Sequence, residues 1–233
     1  MKAIILAAGE GKRIRSITDR PKCLLPIGDT SFLERSVGQL RYAGVSEIWI
    51  VTGYKHLAIY EALNSRICYC LNHQFATTNS IYSLTMGLSV LDVLTQSEDT
   101  IIMNGDIYFH VGDLISLVEN DGEFVLLIGP QEMDQESTKI KLRGEAVVDI
   151  GQDIPLNEAA AEFTGICKVS DLLLYQFGLC VRKRAIADPN AKWIAAIRDI
   201  ILSGQHVEYE LAVEPWIEVD TPEDYERAKE LSA

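Results

Sequence analysis

A chain of 233 residues, 48% of them hydrophobic, can bury a substantial core, and its length predicts one large α/β unit rather than two independent ones. A formal net charge of -13 argues against sequence-independent binding to nucleic acid and against a polybasic membrane surface. No apolar run approaches the roughly 20 residues that span a bilayer, and the short apolar stretch after Lys2 lacks the length and cleavage site of a signal peptide, so a soluble, cytoplasmic protein is expected.

Lys2–Leu6 reads as a strand that runs into a loop containing Gly9 and Gly11. Between Lys12 and Lys22 that loop gathers five cations, Lys12, Arg13, Arg15, Arg20 and Lys22, against one carboxylate, Asp19. A cationic loop on an acidic chain points to a specific polyanion, which glycines let the backbone approach and which N–H groups and cations neutralise. Neither the Walker pattern G-x-x-x-x-G-K-[ST] nor the dinucleotide pattern G-x-G-x-x-G is present.

Ser31–Tyr42 carries the apolar stripe of a helix (Phe32, Leu33, Val37, Leu40), with a capping box at Ser31 and Glu34 and a stop at Gly44. A strand at Glu47–Val51, a helix around Lys55–Leu63 and a strand at Ile67–Leu71 follow. Asn79–Leu94 reads as a helix that Thr78 or Asn79 can cap, and Thr100–Met103 as a strand ending at Asn104-Gly105-Asp106. This alternation implies a mainly parallel sheet covered on both faces. Ligands in such sheets bind beyond the carboxyl ends of strands, where Gly9 and Asp106 are expected to converge.

The second half is richer in strands: Glu123–Ile128, then Thr138–Leu142 paired in a hairpin with Ala146–Ile150, then Glu162–Val169. Helices are expected at Asp171–Lys183 and Ala191–Leu202, strands at Val207–Glu210 and Trp216–Val219. A closing helix spans Pro222–Leu231, with Thr221 as its cap and Pro222 in its first position. No internal repeat, low-complexity tract or linker interrupts the chain, so residues 1–233 are expected to form a single domain. The five cysteines follow no C-x-x-C or Cys/His zinc spacing and read as reduced thiols. The four histidines are scattered.

Several residues can carry chemistry. Asp106 at a strand end offers oxygen to a hard cation such as Mg²⁺, although N-G-D is also ordinary turn chemistry. Glu218 and Asp220 alternate on one strand face, so both can approach one cation. Glu223 and Asp224 sit in a first helical turn, where negative charge is stabilising in any case. Lys139, Lys141 and Arg143 alternate to give a cationic strand face, either solvated or facing an anion.

Residues 6–13, L-A-A-G-E-G-K-R, followed by Pro21-Lys22-Cys23-Leu24-Leu25-Pro26, resemble the signature of nucleotidyltransferases of the MobA-like and sugar-nucleotidyltransferase superfamily. Those enzymes couple a nucleoside triphosphate to a phosphorylated small molecule and release pyrophosphate. Trp216–Asp224 resembles their W-x-[DE]-x-[DG]-T-P-E-D segment, and Glu162–Ile166 their G-E-[FY]-x-G-I segment. Asn72, Phe75 and the run Thr78-Asn79-Ser80-Ile81-Tyr82-Ser83-Leu84 resemble bacterial cytidylyltransferases that activate phosphocholine or 2-aminoethylphosphonate. Ser80 stands where that family often has Asn. The Q-x-x-P-x-G-L-A segment usual in sugar-1-phosphate enzymes is absent.

The resemblance implies a Rossmann-like three-layer α/β/α fold with a mainly parallel mixed sheet and a small acceptor-side β-rich lobe. Residues 1–110 would form the nucleotide-binding half, and 111–233 the acceptor-binding half with the second metal ligand. The implied reaction transfers CMP from CTP to 2-aminoethylphosphonate, phosphocholine or a related small phosphonate or phosphomonoester. It proceeds by Mg²⁺-dependent in-line attack, with Mn²⁺ as a substitute ion. The resemblance assigns Leu6, Ala7, Ala8, Gly9, Gly11, Lys12, Arg13 and Gly105 to the nucleotide, and Lys22 to its α-phosphate. Asn79, Ser80 and Ser83 would read a base edge or meet the acceptor phosphate. Arg13, Lys22, Asp106 and Asp220 are the implied catalytic set; Asp106 and Asp220 hold the metal, with Glu218 the second choice for the latter position. Tyr82, Lys139, Glu162 and Trp193 are assigned to the acceptor, the two aromatics through cation–π contact. The implied partners are CTP and the acceptor, with no nucleic acid or membrane and with a homodimer left open. The alternatives are a sugar- or polyol-phosphate nucleotidyltransferase and a non-catalytic nucleotide-binding regulatory domain. The presence of Lys22, Asp106 and Asp220 weighs against the last.

Overall fold

The computed structural model describes residues 1–63, 67–94, 98–130 and 133–232. Its first strand, β1 (Lys2–Ala7), is buried along its whole length. The chain continues through β2 (Pro26–Ile27), β3 (Thr30–Ser31), α1 (Phe32–Tyr42), β4 (Glu47–Thr52), α2 (His56–Ala62), β5 (Cys68–Leu71) and α3 (Ser80–Leu94). Next come β6 (Thr100–Asn104), β7 (Ile107–Tyr108), α4 (Val111–Glu119), β8 (Phe124–Gly129), the hairpin β9 (Lys139–Arg143) and β10 (Ala146–Gly151), and β11 (Ala161–Val169). The last elements are α5 (Asp171–Ala187), α6 (Ile194–Leu202), β12 (Glu208–Leu211), β13 (Ile217–Glu218) and α7 (Pro222–Leu231).

The central sheet runs β12-β8-β11-β6-β1-β4-β5. β1 is parallel to β4 on one side and to β6 on the other, with Ile4 opposite both Trp49 and Ile102. β11 runs antiparallel to its neighbours β6 and β8. Its first two residues also pair with β9, on the side β6 occupies farther along, so the hairpin extends from the same strand as a small lobe. This is the expected Rossmann-like mixed sheet.

Side chains alternate across each strand, and the sequence supplies apolar residues to both faces. Ile4 and Leu6 of β1 enter one core with Leu84 and Leu88 of α3, Phe177 of α5 and Ile197 of α6. Ala3 and Ile5 enter the other with Leu33 and Val37 of α1, Ile59 of α2 and Leu114 and Leu117 of α4. A third, smaller core joins Ile14, Leu25, Ile27 and Phe32 to Ile217, Val219, Tyr225 and Ala228. That cluster fastens the first loop of the chain to its last helix.

The expected capping box at Ser31/Glu34 is formed, and the expected cap Thr221 is completed into a second box by Asp224. α4 lay outside the sequence expectations. It has no side-chain cap and begins Val111-Gly112, so local signals for it are weak; burial of Leu114 and Leu117 supplies its stability. All five cysteines are free. Among the described residues no helix is long and apolar enough to cross a membrane.

Candidate active site

The loops after β1 and β6 leave the sheet side by side. The chain passes from β1 to β4 in one direction and returns to β6 on the other side, and a sheet that reverses in this way opens a crevice at its carboxyl edge. The crevice has two lobes of about 340 and 410 Å³ that share Gly9, Arg13, Phe75, Asn79, Asp106 and Asp220.

Local backbone chemistry shapes the first loop. Gly11 has φ 59° and starts a short 3-10 turn, and a Cβ there would lie 3.1 Å from Lys22 Cβ. An L side chain would be strained by the backbone angle and crowded by Lys22. Gly9 meets nothing within 4 Å of a Cβ position, so its backbone is open to the cleft.

The third core then brings distant residues together. Ile14 and Leu25 pack with Tyr225, whose hydroxyl donates to the Pro26 carbonyl at 2.8 Å. At the start of α7, Asp224 accepts from the backbone of Thr221 at 2.8 Å and of Asp220 at 3.1 Å. Lys22 and Asp220, 198 positions apart, are thereby held in contact. Lys22 Nζ lies 2.7 Å from Asp106 Oδ2 and 2.5 Å from Asp220 Oδ1. Arg13 reaches the other Asp220 oxygen at 2.6 Å and Glu136 Oε2 at 2.7 Å.

Burial alone would lower the Lys22 pKa, but the charges of Asp106, Asp220 and Glu218 outweigh it and raise it. Burial works in the opposite sense on Asp220, where Lys22 and Arg13 prevail and hold the carboxyl below its usual range. Among the described residues Glu218 forms no ion pair, and the more distant Lys22 and Lys192 do not prevail. Burial, followed by the charges of Asp106 and Asp220, pushes it up to about 8. Asn104 Nδ2 donates to Glu218 Oε1 at 3.0 Å, and Asn104 Oδ1 accepts from Trp193 Nε1 at 3.0 Å. Gly165, with φ 85°, admits this contact, because a Cβ there would come within 2.9 Å of Asn104 Nδ2.

Asp106 Oδ1 is buried without a hydrogen-bond partner among the described residues. A buried carboxylate oxygen in that state fits a hard cation. Among the described residues no group of three or more His, Cys, Asp or Glu forms a self-sufficient metal cage. A metal here would rest on Asp106 and Asp220 together with substrate oxygens, the arrangement Mg²⁺ usually adopts.

Leu6, Ala7, Ala8, Gly9, Gly11, Lys12, Arg13, Lys22 and Gly105 all line the crevice. Arg15 and Arg20 lie outside it, and Arg15 is paired with Glu10 at 3.2 Å. Asn79, Ser80 and Ser83 line the wall formed by the start of α3. Ser83 Oγ accepts from Asn72 at 3.1 Å, and Ser80 Oγ accepts from the Trp193 backbone at 3.0 Å. Glu218 and Asp220 both face the cleft, as their alternation predicts, but with different partners.

The acceptor assignments fare less evenly. Glu162 lines an adjoining recess of about 390 Å³ with Asp134, Glu136, Lys192 and Arg227. Burial pushes its carboxyl pKa up. Lys139 does not face the cleft. It is buried, and its ammonium donates to the carbonyls of Asp134 at 3.1 Å, Ser137 at 3.2 Å and Gln135 at 3.4 Å, because a cation at a dry strand position must find local oxygens. Tyr82 is half-buried on α3 and lines neither lobe. Trp193 borders the cleft but is buried; its indole N–H is taken by Asn104 and its ring stands edge-on to Phe163, so no open face remains for a cation.

Sequence reasoning missed Lys192, Glu136 and the clamping role of Asn104. Lys192 is exposed, borders both the cleft and the recess, and makes no ion pair among the described residues. It sits in the non-repeating stretch Pro189-Asn190-Ala191-Lys192, where no periodic signal marks it.

The family model of the MobA-like NTP transferase domain matches residues 3–135. Over 98% of its length the chain is 26% identical to the bifunctional IPC transferase and DIPP synthase of Rubrobacter xylanophilus, of which it covers 51%. Over 98% of its length it is also 24% identical to the CMP-5'-(3-aminopropyl)phosphonate synthase of Streptomyces rubellomurinus, of which it covers 38%. The chain thus spans about half, or less, of these curated relatives. The structure of the CTP:phosphocholine cytidylyltransferase from Streptococcus pneumoniae superposes with a TM-score of 0.77 at 20% identity, covering 100% of this chain and 99% of that one.

Proposed function

The chain belongs to the MobA-like NTP transferase family, and from that premise we propose that it transfers CMP from CTP to a small phosphonate or phosphomonoester and releases pyrophosphate. The observation that carries this reading is the Lys22 ammonium shared by Asp106 and Asp220 at the carboxyl edge of β1 and β6. A cation and two carboxylates at one point suit the joining of two polyanions.

The acceptor oxygen is already anionic, so no strong general base is required. Rate comes from alignment and from neutralising charge at the α-phosphorus. In this reading the open backbone at Gly9, the left-handed turn at Gly11 and the guanidinium of Arg13 take the triphosphate, and Lys22 takes the α-phosphate. Asp106 and Asp220 would hold Mg²⁺, which when bound supplies further neutralisation of phosphate oxygens. Asn79, Ser80 and Ser83 offer polar atoms to the base edge.

On the acceptor side, Lys192 replaces Lys139 as the cation for the phosphonate or phosphate group. The carboxylates of Glu162, Asp134 and Glu136 around the same recess favour a head group that carries an ammonium over a neutral polyol. A relative named for an aminopropylphosphonate product and a fold neighbour named for phosphocholine are consistent with such a head group.

A pyrophosphate-release assay crossing four nucleoside triphosphates with aminoalkylphosphonates, phosphocholine, and sugar and polyol phosphates tests the reading. Turnover is expected with CTP and an ammonium-bearing acceptor. Faster turnover with a sugar or polyol phosphate, or with another nucleotide, would replace it.

A further inference from the structure

α5 is apolar on two faces. Leu173, Phe177, Val181 and Ala185 are buried against the sheet and its neighbouring helices. On the far side Leu172, Tyr175, Leu179 and Ile186 are 77%, 69%, 47% and 85% exposed. Single exposed apolar residues are ordinary. These four recur along one helical stripe, where a helix facing water would carry polar residues.

We propose that this stripe is the contact between two copies of the chain, packed antiparallel about a twofold axis. The occupant follows from the order of side chains along one row of the helix. Asp171, Tyr175, Leu179 and Lys183 follow one another four positions apart. The row reads acid, apolar, apolar, base; from the other end it reads base, apolar, apolar, acid. A second copy laid antiparallel therefore sets Asp171 against Lys183 and Tyr175 against Leu179, each twice, whereas a parallel copy would oppose like charges.

Rows at intervals of four are the ridges by which helices commonly interlock, and a twofold contact must be self-complementary in this way. Asp171 and Lys183 have no ion pair of their own among the described residues, so both charges are available. Leu172 and Ile186 extend the apolar strip at its two ends. None of the stripe residues lines the cleft or the recess beside it, so pairing leaves the site open.

Sedimentation velocity across about 1–100 µM protein tests this. The 25.9 kDa chain is expected to sediment as a dimer. Leu179→Glu should raise the dimer dissociation constant at least about tenfold while pyrophosphate release per chain is unchanged. Lys183→Asp and Asp171→Lys should each weaken the dimer, and the double charge swap should restore it, which a merely misfolded variant could not do. A wild-type monomer at the highest concentration, a dimer indifferent to Leu179→Glu, or a double swap without recovery would each overturn the proposal.

Discussion

Replacing Glu218 by glutamine should stabilise the ligand-free protein at pH 8 and above and change little at pH 5. Burial and the charges of Asp106 and Asp220 move this carboxyl from 4.5 to about 8. Between those values the folded protein keeps a proton that the unfolded chain has released, so stability falls as pH rises through the window. This is opposite to the usual salt-bridged carboxylate, whose stabilisation is lost on acidification. One pH unit is worth about 1.4 kcal/mol, and the whole window amounts to roughly 2–5 kcal/mol. Glutamine is isosteric and can still accept from Asn104 Nδ2, now 3.0 Å from Glu218 Oε1, so the hydrogen bond survives while the charge is lost. Urea midpoints of both proteins, measured from pH 5 to 9 with a chelator present, should diverge with rising pH and run level above about 8. Parallel profiles across the range would refute the argument that Glu218 is charged against its surroundings.

Lys22→Met should lower kcat by at least about a hundredfold, the scale of one lost transition-state contact, in the pyrophosphate-release assay; near-normal turnover would remove it from the α-phosphate. Asp106→Asn should lower turnover on the same scale and also weaken Mn²⁺ binding in the presence of CTP, read by electron paramagnetic resonance. Lys192→Ala should raise the acceptor KM about tenfold, as expected for one charge-assisted hydrogen bond, with the CTP KM nearly unchanged. Lys139→Met should instead lower the melting temperature, because the carbonyls of residues 134, 135 and 137 lose their shared donor.

The convergence of Gly9, Gly11, Lys22 and Asp106 on one crevice was legible because its signals are local. A strand that ends in two glycines and a cluster of cations needs no knowledge of distant residues, and Asp106 follows a strand by the same logic. The capping pair Ser31 and Glu34 was legible for a similar reason, since one turn of helix contains the whole interaction. The surroundings of Lys139, Trp193 and Lys192 were not. Whether Lys139 faces a ligand or its own loop depends on how the chain before β9 folds back, which alternation along the strand does not encode. Trp193 was misjudged because its indole N–H finds Asn104, 89 positions away. Lys192 lies in a connection whose position is set by the packing of α5 and α6 rather than by any repeat.

The third core has a consequence for how the site is filled. By pinning the loop of Lys22 to the helix that follows Asp220, it places a tethered ammonium between two carboxylates before any ligand arrives. That ammonium is an internal counter-ion. It prevents the two acids from forcing each other apart, and it cannot diffuse away as a buffer cation would. Under the proposed function an incoming divalent ion would compete with it for the same oxygens, while a triphosphate would offer Lys22 and Arg13 somewhere else to go. The two ligands of that reading would therefore be linked, each easing the entry of the other, and such linkage is reciprocal by necessity. On that reading the protein holds its acids ready yet would give them up to a metal most readily when the nucleotide comes with it.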